Sequence, residues 1–253
     1  MTIPPYVLTA AAEAARQSHA TIDQYFDFFH QQSVEIQKVS GIVHRKILLV
    51  TLIASLAKGR FPTEKSDKAK FQKLVGDYGD WPIGQRISVV QLKFLADARR
   101  AEGPFKKGGF TKDFDDAVAK HFARSENARN TRLVRRADSD PLPNEMFVHT
   151  LTGDENNVVE KSTHLALLYQ YRSALVHEFR EPGGFQLHEE DTVPFYMPTT
   201  QMDGSHIADL TYPTGLLNYL VESILKSLPN WYVAQSVNPY DGYLNVLGSP
   251  GSS

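Results

Sequence analysis

The chain has 253 residues, 42% of them apolar, with a formal net charge of −2 and no cysteine. That is enough apolar material for a substantial core, and the missing thiol excludes disulfides, thiolate nucleophiles, iron–sulfur clusters and cysteine-ligated zinc. The most apolar run, Ile47 to Leu56, is about half of the roughly 20 residues a membrane span requires, and Met1 to Ala15 shows no basic region followed by an apolar block, so the expectation is a soluble cytoplasmic protein with no membrane partner.

Helices dominate the first hundred residues. Ala10 to Ala15 is strongly helix-forming, and Ile22, Tyr25, Phe26 and Phe29 are spaced to bury one face. A second helix is expected from about Ile42 to Lys58, ended by Gly59 and Pro62. Further helices are expected over Lys68 to Tyr78, closed by Gly79-Asp80-Trp81-Pro82, and over Val89 to Arg100. From about 103 to 140 the composition turns to glycine, lysine and the series Arg124, Arg129, Arg132, Arg135 and Arg136. It reads as a basic insertion or lid outside the core, with positions 129, 132 and 136 on one face of a helix and 135 beside them.

After a polar loop at Gly153 to Asn157, a helix is expected from about Val158 to Glu181, stopped by Pro182-Gly183-Gly184. Thr192 to Met197 and His206 to Tyr212 read as two strands joined by a turn at Asp203-Gly204, with Pro194 and Pro198 confining the first to an edge. The last helix, Thr214 to Leu228, buries Leu217, Leu220, Val221, Ile224 and Leu228, and Gly248 to Ser253 reads as a disordered tail.

Charge is spread unevenly along this order. Residues 1–98 carry 12 basic and 9 acidic side chains, 99–136 carry 11 and 5, and 137–253 carry 4 and 15. The near-neutral total argues against indiscriminate nucleic-acid binding, while the middle is distinctly basic. Arg172 and Arg180 are two of only four basic residues in the acidic last segment.

Several familiar sites are excluded by their spacing. Gly103-Pro-Phe-Lys-Lys-Gly-Gly-Phe110 lacks the Lys-Ser/Thr that a P-loop needs after its second glycine. There is no His-Glu-x-x-His, the cluster His188-Glu-Glu-Asp191 reads as a polar turn, and no Gly-x-Ser-x-Gly elbow occurs. What remains is Arg172-Ser-Ala-Leu-Val-His177. Leu165, Leu168, Tyr169, Val176 and Phe179 follow helical spacing, and Arg172 falls inside that stripe. A charge on a buried face is costly without a partner; the alternatives are a carboxylate such as Glu178 or Glu181, with His177 on a last-turn carbonyl, or a phosphate. Arginine offers a permanently charged planar fork for phosphate, and histidine exchanges a proton near neutral pH. RNA supplies its own 2′-hydroxyl nucleophile, so this chemistry requires no metal and no cofactor. Positions five apart lie about 140° round a straight helix, so the arginine must reach or the helix must loosen for the two to meet.

The Arg-x4-His pattern at the end of an amphipathic helix resembles the HEPN superfamily, whose small helical domains carry Arg-x4–6-His and whose active members cut RNA. The resemblance covers roughly residues 158–228, and the helix Ile42 to Lys58 looks like the family's first long helix. It implies a mainly α fold, a HEPN-like helical bundle with a small β-hairpin insertion before the last long helix, formed by one domain over 1–253 with core helices at about 20–60, 158–182 and 213–229. It also implies a homodimer whose two Arg172 and His177 pairs face one cleft, a metal-independent endoribonuclease activity, and a setting in toxin–antitoxin or phage defence with an antitoxin or other defence-system partner. Ser173 stands where the nucleases carry Asn, Asp or His, and is the supporting polar residue. Phe179 stands where one antitoxin-linked branch has a tyrosine for nucleotidylation, so that switch has no acceptor here. RNA is the expected partner, with Arg129, Arg132, Arg135 and Arg136 either gripping it or forming a solvated helix. The alternative function is a non-catalytic HEPN-like protein that binds RNA or nucleotide or pairs chains as a scaffold.

Overall fold

The computed structural model describes residues 5–101, 109–129, 135–179, 189–200 and 206–244, with side chains described outside 5–18, 125–129, 198–200, 206–207 and 243–244. The protein is mainly helical with a small antiparallel sheet. It divides into two compact units, one formed by Met1–Asp80 with Leu217–Ser253 and the other by Trp81–Leu216. Among the described residues no helix is long and apolar enough to cross a membrane.

The first unit contains α1 (Pro5–Gln37), α2 (Ile42–Arg60), α3 (Asp67–Tyr78), most of the last long helix and a final short turn of helix (Asp241–Leu244). Its core follows the apolar spacing: Ile22, Tyr25, Phe26 and Phe29 from α1, Leu49, Val50, Ile53 and Leu56 from α2, and Phe71, Leu74 and Val75 from α3 are all buried. Ser66 caps α3 by accepting the Ala69 N–H at 3.0 Å, a worthwhile satisfaction of one orphan donor. Gly59 does not end α2. The helix continues to Arg60, and a Cβ at Gly242 would come within 2.4 Å of the Gly59 carbonyl oxygen, so it is a close backbone approach that requires Gly242 to be glycine.

The long helix over Thr214–Gln235 passes through Pro229 rather than ending at Leu228. Proline removes one backbone donor there, but packing beyond it outweighs the loss. Tyr232 is buried, its ring 5.8 Å from Phe26 and 6.2 Å from Tyr25, and the Arg60 guanidinium lies 3.4 Å over the Trp231 ring. Propensity reads the proline as a stop because it cannot see these aromatic partners.

The second unit holds α4 (Val89–Ala101), α5 (Lys112–Arg129), α6 (Pro143–Met146), α7 (Gly153–Lys161), α8 (His164–Glu178) and the sheet. Helix α2, the one expected from Ile42 to Lys58, and α8 therefore belong to different compact units. Part of the segment read as an outer lid is core: Phe114 and Val118 of α5 are buried beside Ile87, Leu92, Ala96, Phe147 and Val159. Phe114 stacks between Phe110 and Phe147, at centroid distances of 4.8 and 5.2 Å. The four-residue step from Phe114 to Val118 was hidden among lysines and aspartates, whose abundance reflects only the outward face of the helix.

A single helix over 158–181 is not formed. Thr163 breaks it in two, capping α8 through its hydroxyl, which accepts the Ala166 N–H at 3.2 Å. The break lets the chain pair with the segment before α4: the His164 N–H donates to the Arg86 carbonyl at 3.0 Å and the Ser88 N–H to the Ser162 carbonyl at 2.9 Å. The hairpin strands are β2 (Phe195–Thr200) and β3 (His206–Thr211), in register from Phe195 opposite Thr211 to Thr200 opposite His206. The expected turn at Asp203-Gly204 lies outside the described residues, as does the tail at Gly248 to Ser253. A third strand, β1 (Arg135–Arg136), pairs with Phe195 and Tyr196, so β2 is central there. Pro198 sits opposite Ala208, past the end of β1, where its missing N–H deprives no β1 acceptor.

Two substitutions test these contacts. Gly242→Ala should lower the melting temperature measurably, because the new methyl meets main chain and not a movable side-chain tip. Glu155 is fully buried and accepts 2.7 Å hydrogen bonds from the Thr111 N–H, the Thr111 hydroxyl and the Thr152 N–H. Burial pushes its carboxyl up, but the hydrogen bonds from Thr152 and Thr111 outweigh burial and hold it below the usual range. Its contribution is thus complete above the unfolded-state carboxylate pKa and is lost as pH falls through the lower folded value. Glu155→Gln should cost about 2–3 kcal/mol at neutral pH, the scale of charge-assisted hydrogen bonds. The gap from wild type should narrow in acid, and thermal unfolding from pH 7 to pH 3 measures it.

Candidate functional site

Helix α8 carries the Arg-x4-His pattern, and its inner face is not the stripe that the sequence suggests. His164, Leu167, Leu168, Tyr171, Ala174 and Leu175 are buried, which is an i, i+3, i+4, i+7 face. Leu165, Tyr169, Arg172 and Val176 are only half-buried, and Phe179 is 73% exposed. Arg172 thus lies on a second apolar stripe at the edge of the first. The helix carries two such stripes sharing Leu168, and spacing alone does not say which one faces inward.

Despite the angular offset of five helical positions, the side chains meet. Arg172 Nη1 is 3.4 Å from His177 Nε2, at the long end of hydrogen-bond range. A guanidinium can only donate, so in this contact Nε2 is the ring nitrogen without a proton. The arginine also lies over the Tyr169 ring, 5.7 Å from guanidinium carbon to centroid, and its Nε is buried with no hydrogen-bond partner. Among the described residues no carboxylate forms an ion pair with Arg172. Glu181, one of the carboxylates expected as its partner, lies outside the described residues, as does Arg180. His177 is exposed, and Ser173, between the two, is half-buried.

The helix ends just past this pair in an unusual way. Phe179 adopts the left-handed conformation, with φ 50° and ψ 30°, and its N–H donates to the Ala174 carbonyl. Glycine takes that position without strain, whereas a residue with a Cβ pays roughly 1–2 kcal/mol. The largely exposed phenyl ring adds little burial to offset it.

The arginine series is not one helical face. Arg129 is the last residue of α5, with its side chain outside the described set, and Arg132 lies outside it altogether. Arg135 and Arg136 are strand, and an extended chain sends consecutive side chains to opposite sides. The Arg136 side chain is 55% exposed and pairs with Asp138 at 3.0 Å. The Arg135 side chain is 17% exposed and pairs with the fully buried Asp140. Pairing with β2 decided this, a long-range partner that helical counting cannot reveal.

Sequence reasoning missed the polar cluster that this pairing builds. Asp140 Oδ2 lies 2.8 Å from His164 Nε2 and accepts the Tyr196 hydroxyl, which is also 2.8 Å from Ser88 Oγ. Burial, followed by the Asp140 charge, raises the Tyr196 phenol well above its usual range, so it stays protonated and donates. Ser88, Asp140 and His164 have no exposed surface, so the cluster holds the unit together. Scattered singly through the sequence, its members carry no shared motif. Among the described residues no group of three or more His, Cys, Asp or Glu side chains is placed to hold a metal ion.

Comparisons with protein-family models, with curated proteins and with solved structures return no match for this chain.

Arg135 and Arg136 can be separated by experiment. Arg135→Gln removes a nearly buried partner of Asp140 and should cost about 3–5 kcal/mol, the scale for breaking a buried pair. Arg136→Gln should cost under about 1 kcal/mol, as for exposed pairs. Denaturant unfolding of the two variants measures the difference; equal small effects would detach Arg135 from the fold.

Proposed function

We propose that the chain is a metal-independent endoribonuclease acting as a homodimer, with Arg172 and His177 of each protomer as its catalytic residues. The observation that carries this reading is the pair itself: a guanidinium with no carboxylate partner among the described residues, donating to the proton-accepting nitrogen of an exposed histidine 3.4 Å away. A structural arginine would be expected to spend its charge on a carboxylate, as Arg135 does on Asp140.

The division of labour follows from the two side chains. When the phosphate draws Arg172 away from the ring, His177 Nε2 is freed to take the proton of a ribose 2′-hydroxyl, whose oxygen attacks the adjacent phosphorus. The P–O5′ bond breaks as the P–O2′ bond forms, the leaving O5′ takes a proton from water or from the protonated His177 of the other protomer, and the products are a 2′,3′-cyclic phosphate and a 5′-hydroxyl. Arg172 stabilises the charge that builds on the phosphoryl oxygens, where its two-pronged geometry is worth more than a point charge. The Ser173 hydroxyl is a supporting donor or acceptor between them. The half-buried stripe of Leu165, Tyr169 and Val176 with exposed Phe179 supports pairing of protomers along this helix, which would bring two such pairs into one cleft. A role for the protein in toxin–antitoxin or phage-defence systems belongs to the same proposal and rests on the motif's likeness to HEPN proteins.

His177→Ala and Arg172→Ala should each lower RNA cleavage by about 10²-fold or more. Both should leave the dimer and the melting temperature nearly unchanged. Cleavage should persist in EDTA, fail on 2′-O-methyl RNA, and leave a cyclic phosphate detectable by mass spectrometry. RNA binding and dimerisation without any cleavage would establish the non-catalytic scaffold instead. A sharp loss of stability in Arg172→Ala with an inactive wild type would make the arginine a structural residue.

A further inference from the structure

The second unit contains a cavity of about 530 Å³ away from the end of α8 in sequence, lined by side chains from four segments. Arg86 comes from the stretch before α4, His121 and Arg124 from α5, Arg135 from β1, and Asp140 and Glu145 from the stretch that follows. The size falls within the range of small-ligand sites. Its wall mixes polar and apolar surface, with charged side chains contributed by several of the segments, so a charged ligand has partners there.

The charges there are unequally satisfied. Arg86 donates from Nη1 to the Asp140 main-chain oxygen at 2.5 Å, so its position is fixed while its charge is not neutralised. Arg124 is exposed and forms no ion pair among the described residues. Arg135 is neutralised by Asp140, but that carboxylate also serves His164 and Tyr196 and is fully buried. The Glu145 carboxylate accepts the Leu142 N–H at 2.7 Å and caps α6. Two guanidiniums from different elements therefore face a common space without a carboxylate of their own. Two arginine forks held apart across a cavity match the several oxygens of a phosphate better than one point charge would.

We propose that this cavity binds a phosphate group, with Arg86 and Arg124 as its principal ligands and His121 as a third donor when protonated. The site is separate from the Arg172–His177 pair and does not depend on the nuclease reading. A second observation agrees with an anion there. Burial, then the neighbouring Arg124 and Lys120, hold the His121 imidazole below its ordinary range, with Glu145 pulling the other way. An anion between the arginine and the histidine would reverse the cationic part of that effect.

Phosphate chemistry can come from a small phosphomonoester or from an RNA backbone, and one set of measurements on the full chain separates them. Inorganic phosphate and adenosine monophosphate are titrated by calorimetry at constant ionic strength, with chloride as the compensating ion, in wild type and in the His177→Ala variant so that no cleavage intervenes. Saturable binding is expected in both, with an upward shift of the His121 ring pKa followed by NMR. Arg124→Gln, a change at an exposed position, should weaken phosphate binding by about tenfold or more, the scale of one charge-assisted hydrogen bond. Arg86→Gln should do the same if it folds, and Arg124→Gln alone decides the matter if it does not. Competition by a 2′-O-methylated RNA without terminal phosphates would assign the site to backbone phosphates, and failure to compete would assign it to a phosphomonoester; both support the site. No saturable effect beyond that of chloride, or undiminished affinity in Arg124→Gln, overturns it.

Discussion

The second unit is organised around the Asp140 carboxylate. It has no solvent, and an ionised carboxyl in that position is tolerable only if its oxygens are fully engaged. They are: Arg135 takes one oxygen, while His164 and Tyr196 share the other. Each partner belongs to a different piece of chain, respectively β1, the first turn of α8 and β2. The Asp140 main-chain oxygen engages Arg86 as well. The demand of one buried charge thus fixes the third strand to the hairpin and both to the start of α8. None of those joints is dictated by local propensity.

This has a direct bearing on the Arg172–His177 pair, which sits at the opposite end of the same helix. His164 anchors the first turn through Asp140, and the Tyr212 hydroxyl donates to the His164 carbonyl at 3.1 Å. Leu167, Leu168, Tyr171, Ala174 and Leu175 then bury the inner face along its length. A helix so held has its inner face packed up to its last turn, and the proposed catalytic pair would need its geometry fixed by elements that do not move with the substrate. Arg135 and Arg172 illustrate the division: Arg135 spends its charge on the buried Asp140, and Arg172 forms no ion pair among the described residues.

Helices with periodic apolar faces were legible in the sequence. Ile42 to Arg60, Asp67 to Tyr78 and Val89 to Ala101 lie within a few residues of expectation, because spacing and local stop signals suffice for them. The hairpin before the last helix was legible from alternation. What escaped was decided by distant partners. Arg135 and Arg136 look like helix until β2 pairs with them, and Phe114 looks like part of a charged lid until Phe147 stacks on it. The break at Thr163 is visible in hindsight as a threonine cap, but Val158 to Glu181 is periodic enough to pass for one helix. The Arg-x4-His pattern is legible in the sequence, while the inward face of its helix is not, since Leu165, Tyr169 and Val176 mimic a buried stripe. The cavity beside Arg86 and Arg124 was not foreseeable, because residues nearly 40 positions apart reach it only through the tertiary fold.

Phe179 connects these levels. A left-handed residue at a helix end is ordinarily glycine, and here the strain of a Cβ is accepted at a position where the ring is largely in water. Neither backbone preference nor burial within the chain accounts for that choice. In sequence, Phe179 continues the spacing of the half-buried Leu165, Tyr169 and Val176 by one more step, just past the Arg172–His177 pair. If protomers pair along that stripe, as the proposed nuclease requires, the phenyl gains in the interface the burial it lacks in the isolated chain. Burying a side chain of this kind contributes about 1.5–3 kcal/mol, which exceeds the roughly 1–2 kcal/mol of left-handed strain. The strain at the end of α8 is therefore of the size that an interface along this face can offset, and its place beside the exposed histidine is where a composite site would need the two chains to close.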